Sequence, residues 1–222
     1  MADFTVPRLE KLDSQPEVQR LLKNLLDRPG VQTFLWVGPE GSGKKTYALA
    51  LVRSLFCREG PDCGGCATCK QVLNRTHPDL FWLQRQEGKA EIAVEATREV
   101  DRKLSNAPFS APVKVAVVSE ADRMNPDAQN AFLKTLEEPP ANSLVLLLAE
   151  KAGNFLPTVL SRCRLVRFPA LPAMVIEKAL RESHGWDKAE ARKAAQEAGG
   201  NLALALKFGD ENWMAFREKV GR

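Results

Sequence analysis

The sequence predicts an α/β fold with a parallel sheet, followed by a smaller all-helical part. Strand-like and helix-like segments alternate along residues 1–170, as they do in folds built from parallel strands. Two strand-like segments, 113–118 and 144–148, are almost wholly apolar, which is typical of strands covered by helices on both faces. After Pro169, only helical patterns follow.

The individual elements follow from hydrophobic periodicity and from residues that start or stop helices. The predicted strands are 33–37, 80–83, 113–118 and 144–148. The predicted helices are 16–26, 46–56, 93–106, 126–137, 173–183, 188–198 and 202–208. Asn125 is predicted to cap the helix at 126–137, because Pro126 follows it in the first helical turn.

Length and composition restrict the function classes. The chain has 222 residues, 44% of them apolar and 27% charged, which fits a globular protein with one large and one small domain. Its longest apolar run, 144–149, is far shorter than the ~20 residues that span a bilayer. The N-terminus lacks a secretory signal, so we expect a cytoplasmic protein without a membrane partner. The net charge of +4 is too small to indicate nucleic-acid binding by itself.

A glycine-rich segment after the first strand has the spacing of a phosphate-binding loop. Gly38, Gly41 and Gly43 allow backbone N–H groups to approach phosphates closely. Lys44 would neutralise the terminal phosphates, and the order of strand, loop and helix is the one that this motif requires. We therefore predict a nucleotide site at these four residues and Thr46, while whether ATP is bound stays open.

The residue after the loop lysine departs from the motif. Lys45 stands where the motif has a serine or threonine whose hydroxyl ligates Mg²⁺. An ammonium group cannot coordinate a cation, so Lys45 removes a ligand and adds a repelling charge. Thr46 offers an imperfect substitute hydroxyl. The chain is therefore predicted to hold a nucleotide but to be poorly equipped to hydrolyse it.

Four clustered cysteines predict a structural zinc site. Cys57, Cys63, Cys66 and Cys69 lie within thirteen residues, and glycines between them permit tight turns. Disulfides are the alternative, which a reducing cytoplasm disfavours. Four thiolates fill a tetrahedral shell and leave no position for water. The zinc is therefore predicted to be structural, not catalytic.

Together these features resemble the bacterial DNA polymerase III clamp-loader subunits, which are AAA+ proteins. The resemblance rests on the cysteine module after the phosphate-loop helix, the segment NAFLKTLEEPP at 130–140 and the triplet Ser-Arg-Cys at 161–163. It covers nearly the whole chain. The motif His-Pro-Asp-Leu at 77–80 is most similar to the delta-prime type, and the gamma/tau type is the second choice.

The resemblance also implies a domain organisation. A P-loop AAA+ domain is expected at 1–170, with the zinc module inserted at about 57–69. A small helical lid domain is expected at 171–209. Residues 210–222 are expected to begin a C-terminal helical collar domain that is missing or truncated.

The resemblance further implies that metal ligands are lost. In the family's ATPases, an aspartate that holds Mg²⁺ and a glutamate that polarises water follow the strand at 115–118, and here the pair is Ser119-Glu120. Together with Lys45, Ser119 removes both usual protein contacts to the ion. Asp122 is the remaining carboxylate that could substitute.

Two sensor positions differ as well. The family's small polar sensor corresponds to Ala149-Glu150, and the arginine of the lid corresponds to Ala203. An acidic side chain at the first position would oppose a γ-phosphate. The four departures imply that the chain has no ATPase activity of its own.

Arg162 retains the family's arginine finger. In the family, this arginine reaches across a subunit interface to ATP bound by the neighbour. Such fingers contribute on the order of 10³- to 10⁵-fold in rate. Keeping the finger while losing the metal ligands is consistent with a subunit that helps its neighbour hydrolyse ATP.

Three functions remain in competition. The first is a delta-prime-like accessory subunit of the DNA polymerase III holoenzyme that donates Arg162 and helps load the sliding clamp on primed DNA. Its partners would be gamma/tau-type and delta-type subunits, the clamp and, through the assembled complex, the DNA. The second is an active gamma/tau-like ATPase that uses Thr46 and Asp122. The third is a P-loop nucleotide kinase with a zinc-stabilised lid.

Overall fold

The computed structural model describes residues 6, 9–27, 32–60 and 63–209. The strands are β1 Gln32–Val37, β2 Leu80–Leu83, β3 Lys114–Ser119, β4 Ser143–Ala149 and β5 Arg164–Arg167. The α-helices are α1 Pro16–Asp27, α2 Lys44–Phe56, α3 Ala67–Leu73, α4 Val94–Leu104, α5 Pro126–Glu137, α6 Pro157–Leu160, α7 Ala173–His184, α8 Lys188–Glu197 and α9 Leu202–Lys207. Single turns of 3-10 helix lie at Leu9–Lys11, Ala121–Arg123 and Ala152–Asn154.

The five strands form one parallel sheet in the order β2-β3-β4-β1-β5. Parallel neighbours need crossover connections, which the intervening helices provide. The strand β1 lies between β4 and β5. The loop that follows β1 is therefore at the carboxyl edge of the sheet, next to an interior strand and not next to either of the two outermost strands. The predicted α/β class, with P-loop topology and a parallel sheet, is confirmed.

Side chains alternate across the sheet and build a core on each face. Phe34 and Trp36 of β1 belong to the core that contains α1 and α2. Leu35, between them, belongs to the opposite core, which contains α4 and α5. This alternation follows from the two-residue period of a strand. A third apolar cluster joins α7, α8 and α9.

Most of the predicted elements are present with small shifts in their ends. All four predicted strands are found, and α5 begins as predicted, because the Asn125 Oδ1 accepts a hydrogen bond of 2.8 Å from the Ala128 N–H. The structure adds elements that the sequence did not predict, namely β5, α3 and α6. The division at 170/171 stays a prediction, and residues 210–222 lie outside the described residues.

Nothing in the described part of the chain is suited to crossing a bilayer. Each helix there falls short of the length or the apolar character that a spanning segment needs.

Candidate functional site

The phosphate loop borders a cavity of about 480 Å³ at the carboxyl edge of the sheet. The ends of β3 and β4 form one wall, and α9 forms another. Carboxyl ends of parallel strands are the usual ligand-binding edge of such sheets. The helix α9 stands at the cavity because the Leu202 N–H donates to the carbonyl of Gly41, at 3.4 Å.

Four of the five predicted nucleotide-binding residues share this cavity. Gly41, Gly43, Lys44 and Thr46 line it, whereas Gly38 lies buried below. Gly38 has no room for a side chain, because a Cβ there would lie 2.0 Å from the carbonyl oxygen of Phe168. Gly43 has a φ of 94°, a left-handed conformation that favours glycine, where it begins α2.

The side chain of Lys44 forms hydrogen bonds within the phosphate loop. Its Nζ donates to the carbonyls of Gly38 at 2.6 Å and Pro39 at 2.7 Å, and to the Ser42 Oγ at 3.3 Å. Burial lowers the pKa of Lys44, although the nearby carboxylate of Glu150 acts in the opposite direction. A phosphate that bound here would replace these oxygens as the partner of the ammonium group.

Two cations lie against the Glu120 carboxylate at the end of β3. The Glu120 carboxylate accepts from the Arg85 Nε at 2.8 Å, and the Lys45 Nζ lies 4.0 Å from its other oxygen. The Ser119 Oγ is buried at the end of β3 and makes no hydrogen bond within the described residues. At position 119, where the motif has a carboxylate ligand for Mg²⁺, the chain thus offers a hydroxyl.

Arg85 was missed by the sequence analysis. It lies in the loop after β2, outside any motif, and its role depends on the fold bringing that loop to the end of β3. Its guanidinium also donates to the carbonyl of Lys89. These two bonds hold Arg85 over the carboxylate of Glu120, so this carboxylate is charge-paired.

The two substitute metal ligands also line the cavity, but one of them is engaged. Thr46 and Asp122 are both on its wall. The Asp122 Oδ2 accepts from the backbone N–H of Glu150 at 3.3 Å. The two residues at the expected sensor positions, Glu150 and Ala203, line the same cavity, and neither carries a positive charge.

Arg162 lies away from this cavity. It precedes β5 and therefore stands at the amino edge of the sheet, whereas the phosphate loop is at the carboxyl edge. Its Nε donates to the Glu137 carboxylate at 3.1 Å, and its Nη1 donates to the Thr158 carbonyl at 3.0 Å. Arg162 is thus remote from the nucleotide cavity of its own chain.

The four predicted metal ligands converge. The sulfur atoms of Cys57, Cys63, Cys66 and Cys69 all lie within 4.8 Å of one another. The Sγ atoms of Cys57 and Cys66 are 3.8 Å apart. Four sulfurs around a zinc ion, at Zn–S distances of about 2.3 Å, form a tetrahedron with edges of about 3.8 Å. The cluster therefore has the size and the donor set for zinc.

A buried arginine supports the cluster and was not predicted. Arg53 is 5% exposed, and its Nε donates to the Cys69 Sγ at 3.4 Å. Its two terminal nitrogens donate to the carbonyls of Val6 and Cys63. The signal in the sequence was a cation within the apolar C-terminal part of helix α2. Arg53 joins the cysteine cluster to the first described residue of the chain.

The thiols differ in acidity before any metal binds. A hydrogen bond from the backbone N–H of Cys66 lowers the pKa of the Cys63 thiol to about 7. Burial raises the pKa of the Cys69 thiol to about 12. Zinc coordinates the thiolate form of cysteine. Its positive charge would stabilise the Cys69 thiolate, which burial alone disfavours. Cys163, the fifth cysteine, is outside the cluster, and burial raises the pKa of its thiol to about 12.

Comparison with known proteins decides the family. A family model described as "DNA polymerase III, delta subunit" matches residues 14–172. The chain belongs to this DNA polymerase III subunit family. The match includes the phosphate loop, the cysteine cluster and Arg162.

The relatives include DNA polymerase III subunits of the delta-prime type. The chain is 33% identical to the DNA polymerase III subunit delta' of Bacillus subtilis, over 78% of this chain and 53% of the relative. It is 32% identical to the delta' subunit of Escherichia coli, over 90% of this chain and 61% of the relative. The B. subtilis tau subunit is 28% identical, over 78% and 31%. The chain thus spans between about half and three fifths of these delta' relatives.

Solved structures support the same fold. A gamma subunit-related protein of Thermotoga maritima superimposes with a TM-score of 0.57 and 21% identity, covering 82% of this chain and 58% of that one. The RuvB Holliday junction branch migration motor of T. maritima gives a TM-score of 0.61 at 13% identity, covering 90% and 62%. The predicted membership of the clamp-loader family, with an AAA+ fold, is confirmed.

Proposed function

We propose that the chain is a delta-prime-type clamp-loader subunit that does not hydrolyse ATP itself. It assembles with gamma/tau-type and delta-type subunits and takes part in loading the sliding clamp on primed DNA. The family match and the two delta' relatives support the type. The domain division at about residue 170 and a collar beginning at 210–222 are part of the proposal.

The observation that carries the non-hydrolysing role is the charge pairing of Glu120. A glutamate that polarises water must offer a free carboxylate, but here Arg85 binds one oxygen at 2.8 Å and Lys45 lies 4.0 Å from the other. The metal that would bridge the phosphates has no carboxylate at Ser119. Under this proposal, the cavity lacks the metal carboxylate at position 119, and the carboxylate of Glu120 is engaged by cations.

Arg162 is proposed to act on ATP bound by the neighbouring subunit. Its place at the amino edge of the sheet keeps it away from its own cavity and leaves it available to a partner. Its ion pair with Glu137 is on the surface, where such pairs contribute only ~0.2–1 kcal/mol. A phosphate could therefore take the guanidinium at small cost.

The competing motor function retains one supporting observation. Thr46 and Asp122 line the cavity together, as metal ligands of an active ATPase would. The hydrogen bond from the Glu150 N–H to Asp122 weakens this alternative, because it occupies one carboxylate oxygen. The kinase alternative receives no support from the family match.

We also propose that the cysteine cluster holds a structural zinc ion. The residues that would hold it are Cys57, Cys63, Cys66 and Cys69, whose mutual distances fit the ion. Bound zinc would supply the charge that keeps four thiolates together and would fix the connection between α2 and α3. With all four positions taken by sulfur, no site remains for a reacting group.

Two measurements test the proposal. Steady-state Mg²⁺-dependent ATP turnover by the zinc-loaded chain should equal that of Lys44→Ala. Turnover that this substitution abolishes would replace the accessory role with the motor. In the reconstituted complex, Arg162→Ala should slow hydrolysis by the neighbouring subunit by on the order of 10³-fold or more. Arg167→Ala, on the exposed strand β5, is the matched control and should leave the rate unchanged.

A further inference from the structure

A second cavity lies at the amino edge of the sheet, where β2 and β3 begin. It measures about 220 Å³, and three cations line it: Arg75, Lys103 and Lys114. None of the three forms an ion pair with any carboxylate in the part of the chain that the structure describes. The Arg75 guanidinium lies over the Trp82 ring at 4.3 Å and donates to the Gln84 Oε1 at 3.3 Å, so it is held in place without an ion pair in the described ranges. The Lys114 Nζ donates to the main-chain oxygen of Lys103 at 2.9 Å, which keeps these two residues adjacent.

A rigid loop beside this cavity presents an aromatic side chain to solvent. The buried carboxylate of Asp79 lines the cavity and accepts from the backbone N–H groups of Phe109, Ser110 and Ala111, at 2.6, 2.8 and 2.8 Å. On the other side, the Arg58 Nη2 donates to the Ser110 carbonyl at 3.4 Å. The backbone of the loop is thus held from two directions, while the Phe109 side chain is 84% exposed.

The charge around this loop is positive. The hydrogen bonds from three backbone N–H groups satisfy Asp79, which is 2% exposed and contributes little negative charge to the surface. His77 is also on the cavity wall, and burial lowers its pKa, which favours the neutral imidazole. The cations therefore dominate the field. We call Arg58, Arg75, Lys103, Phe109 and Lys114 the Phe109 face.

An exposed aromatic ring near these cations fits single-stranded nucleic acid better than a protein. Protein interfaces are centred on apolar area, but the other large apolar side chains exposed within the described ranges, Leu160, Leu165 and Met174, belong to α6, β5 and α7. A nucleobase needs only one aromatic surface for stacking, and the adjacent phosphates need cations. The Phe109 face offers both.

We propose that the Phe109 face binds single-stranded nucleic acid, with a base stacked on Phe109 and phosphates bound by the surrounding cations. This inference extends the proposed function but is independent of it. The face lies where β2 and β3 begin, whereas the phosphate loop is at the carboxyl edge of the sheet and Arg162 precedes β5, at the opposite lateral end. If the proposed function fails its test, the nucleic-acid proposal can therefore still be tested, and the reverse also holds.

The test is fluorescence anisotropy of a labelled oligothymidylate of about 20 nucleotides, titrated with the zinc-loaded full chain at several salt concentrations. Phe109→Ala should weaken binding at least about fivefold without changing the salt dependence, and Phe109→Trp should restore it. Lys103→Gln should reduce the slope of log K against log salt by about 0.7, the value for one phosphate contact on a single strand.

Matched controls are available elsewhere on the surface. Met174→Ala removes another exposed apolar side chain, which is 78% exposed, and Arg192→Gln removes an exposed cation from α8. Neither should change the affinity. Because the Phe109 side chain is exposed, its removal should leave the unfolding temperature unchanged, which separates a binding effect from a folding defect.

Three outcomes would overturn the proposal. One is an affinity of Phe109→Ala equal to that of the wild type. Another is a preference for duplex of the same length, since paired bases are not available for stacking. The third is no binding of the oligonucleotide at low salt, together with weaker association of Phe109→Ala with the other clamp-loader subunits. That result would assign the face to a protein.

Discussion

Replacing Cys69 with serine tests the metal site and its buried supporting cation together. Cys69 is fully buried, and its sulfur is the partner of the Arg53 Nε at 3.4 Å. With zinc bound, Cys69 is a thiolate, and removing one partner of a buried charge pair costs about 3–5 kcal/mol. For a chain of this length, about 2–4 °C accompanies each kcal/mol, so Cys69→Ser should lower the unfolding temperature by roughly 6–20 °C.

The assay combines elemental analysis with thermal unfolding. The wild type should carry one zinc ion per chain, with X-ray absorption giving four sulfur neighbours at about 2.3 Å. Cys69→Ser should carry much less than one equivalent. Cys163→Ser is the matched control, because that cysteine is outside the cluster, and it should keep the full content. The reasoning fails if Cys69→Ser retains one equivalent of zinc, or if both variants lose it equally.

Three further variants test other parts of the structure. Asp79→Asn should destabilise the chain by about 2–3 kcal/mol in urea unfolding, because three N–H groups lose a charged acceptor. Backbone hydrogen bonds outweigh burial and lower the pKa of Asp79 below its usual 3.8, so this difference should be full above about pH 4 and should shrink below it; a difference that grows on acidification would contradict this. Gly41→Ala should destabilise more than Gly88→Ala. Both have positive φ, but only at Gly41 would the new Cβ meet the capping asparagine of α9, at 1.9 Å; equal losses in the same assay would exclude the clash. Lys45→Thr combined with Ser119→Asp should increase nucleotide affinity at least about tenfold in Mg²⁺ but not in chelator, as measured by calorimetry; identical gains under both conditions would count against the restored metal site.

The sequence predicted the parts of the fold that depend on local patterns. The helix α5 was placed correctly, because Asn125 supplies a cap and Pro126 fits the first turn. The buried strands were predicted because each is a local run of apolar residues. The strand β5 was missed because it is four residues long and carries arginine at both ends. An edge strand tolerates such charged residues, but the short segment then shows no apolar pattern.

The motifs of the candidate site could be predicted from the sequence, but the ion pairs around them could not. The four cysteines lie within one short segment of the sequence, and the residues of the phosphate loop lie within another. The spacing of residues inside each segment therefore reveals it. Arg85 and Glu120 are thirty-five positions apart, and their contact exists only because β2 and β3 are neighbours in the sheet. Arg53 is likewise paired through tertiary structure. Pairing across such distances leaves no periodic signal in a single sequence.

The hydrogen bonds of Lys44 within the phosphate loop add a cost to the binding of any phosphate. The three oxygen partners of Lys44 are all within hydrogen-bond distance before a phosphate arrives. An entering anion must compete with these internal acceptors, so part of its binding free energy goes into opening the loop. The affinity of this loop for a phosphate should therefore be lower than the contacts between the loop and the phosphate would give by themselves.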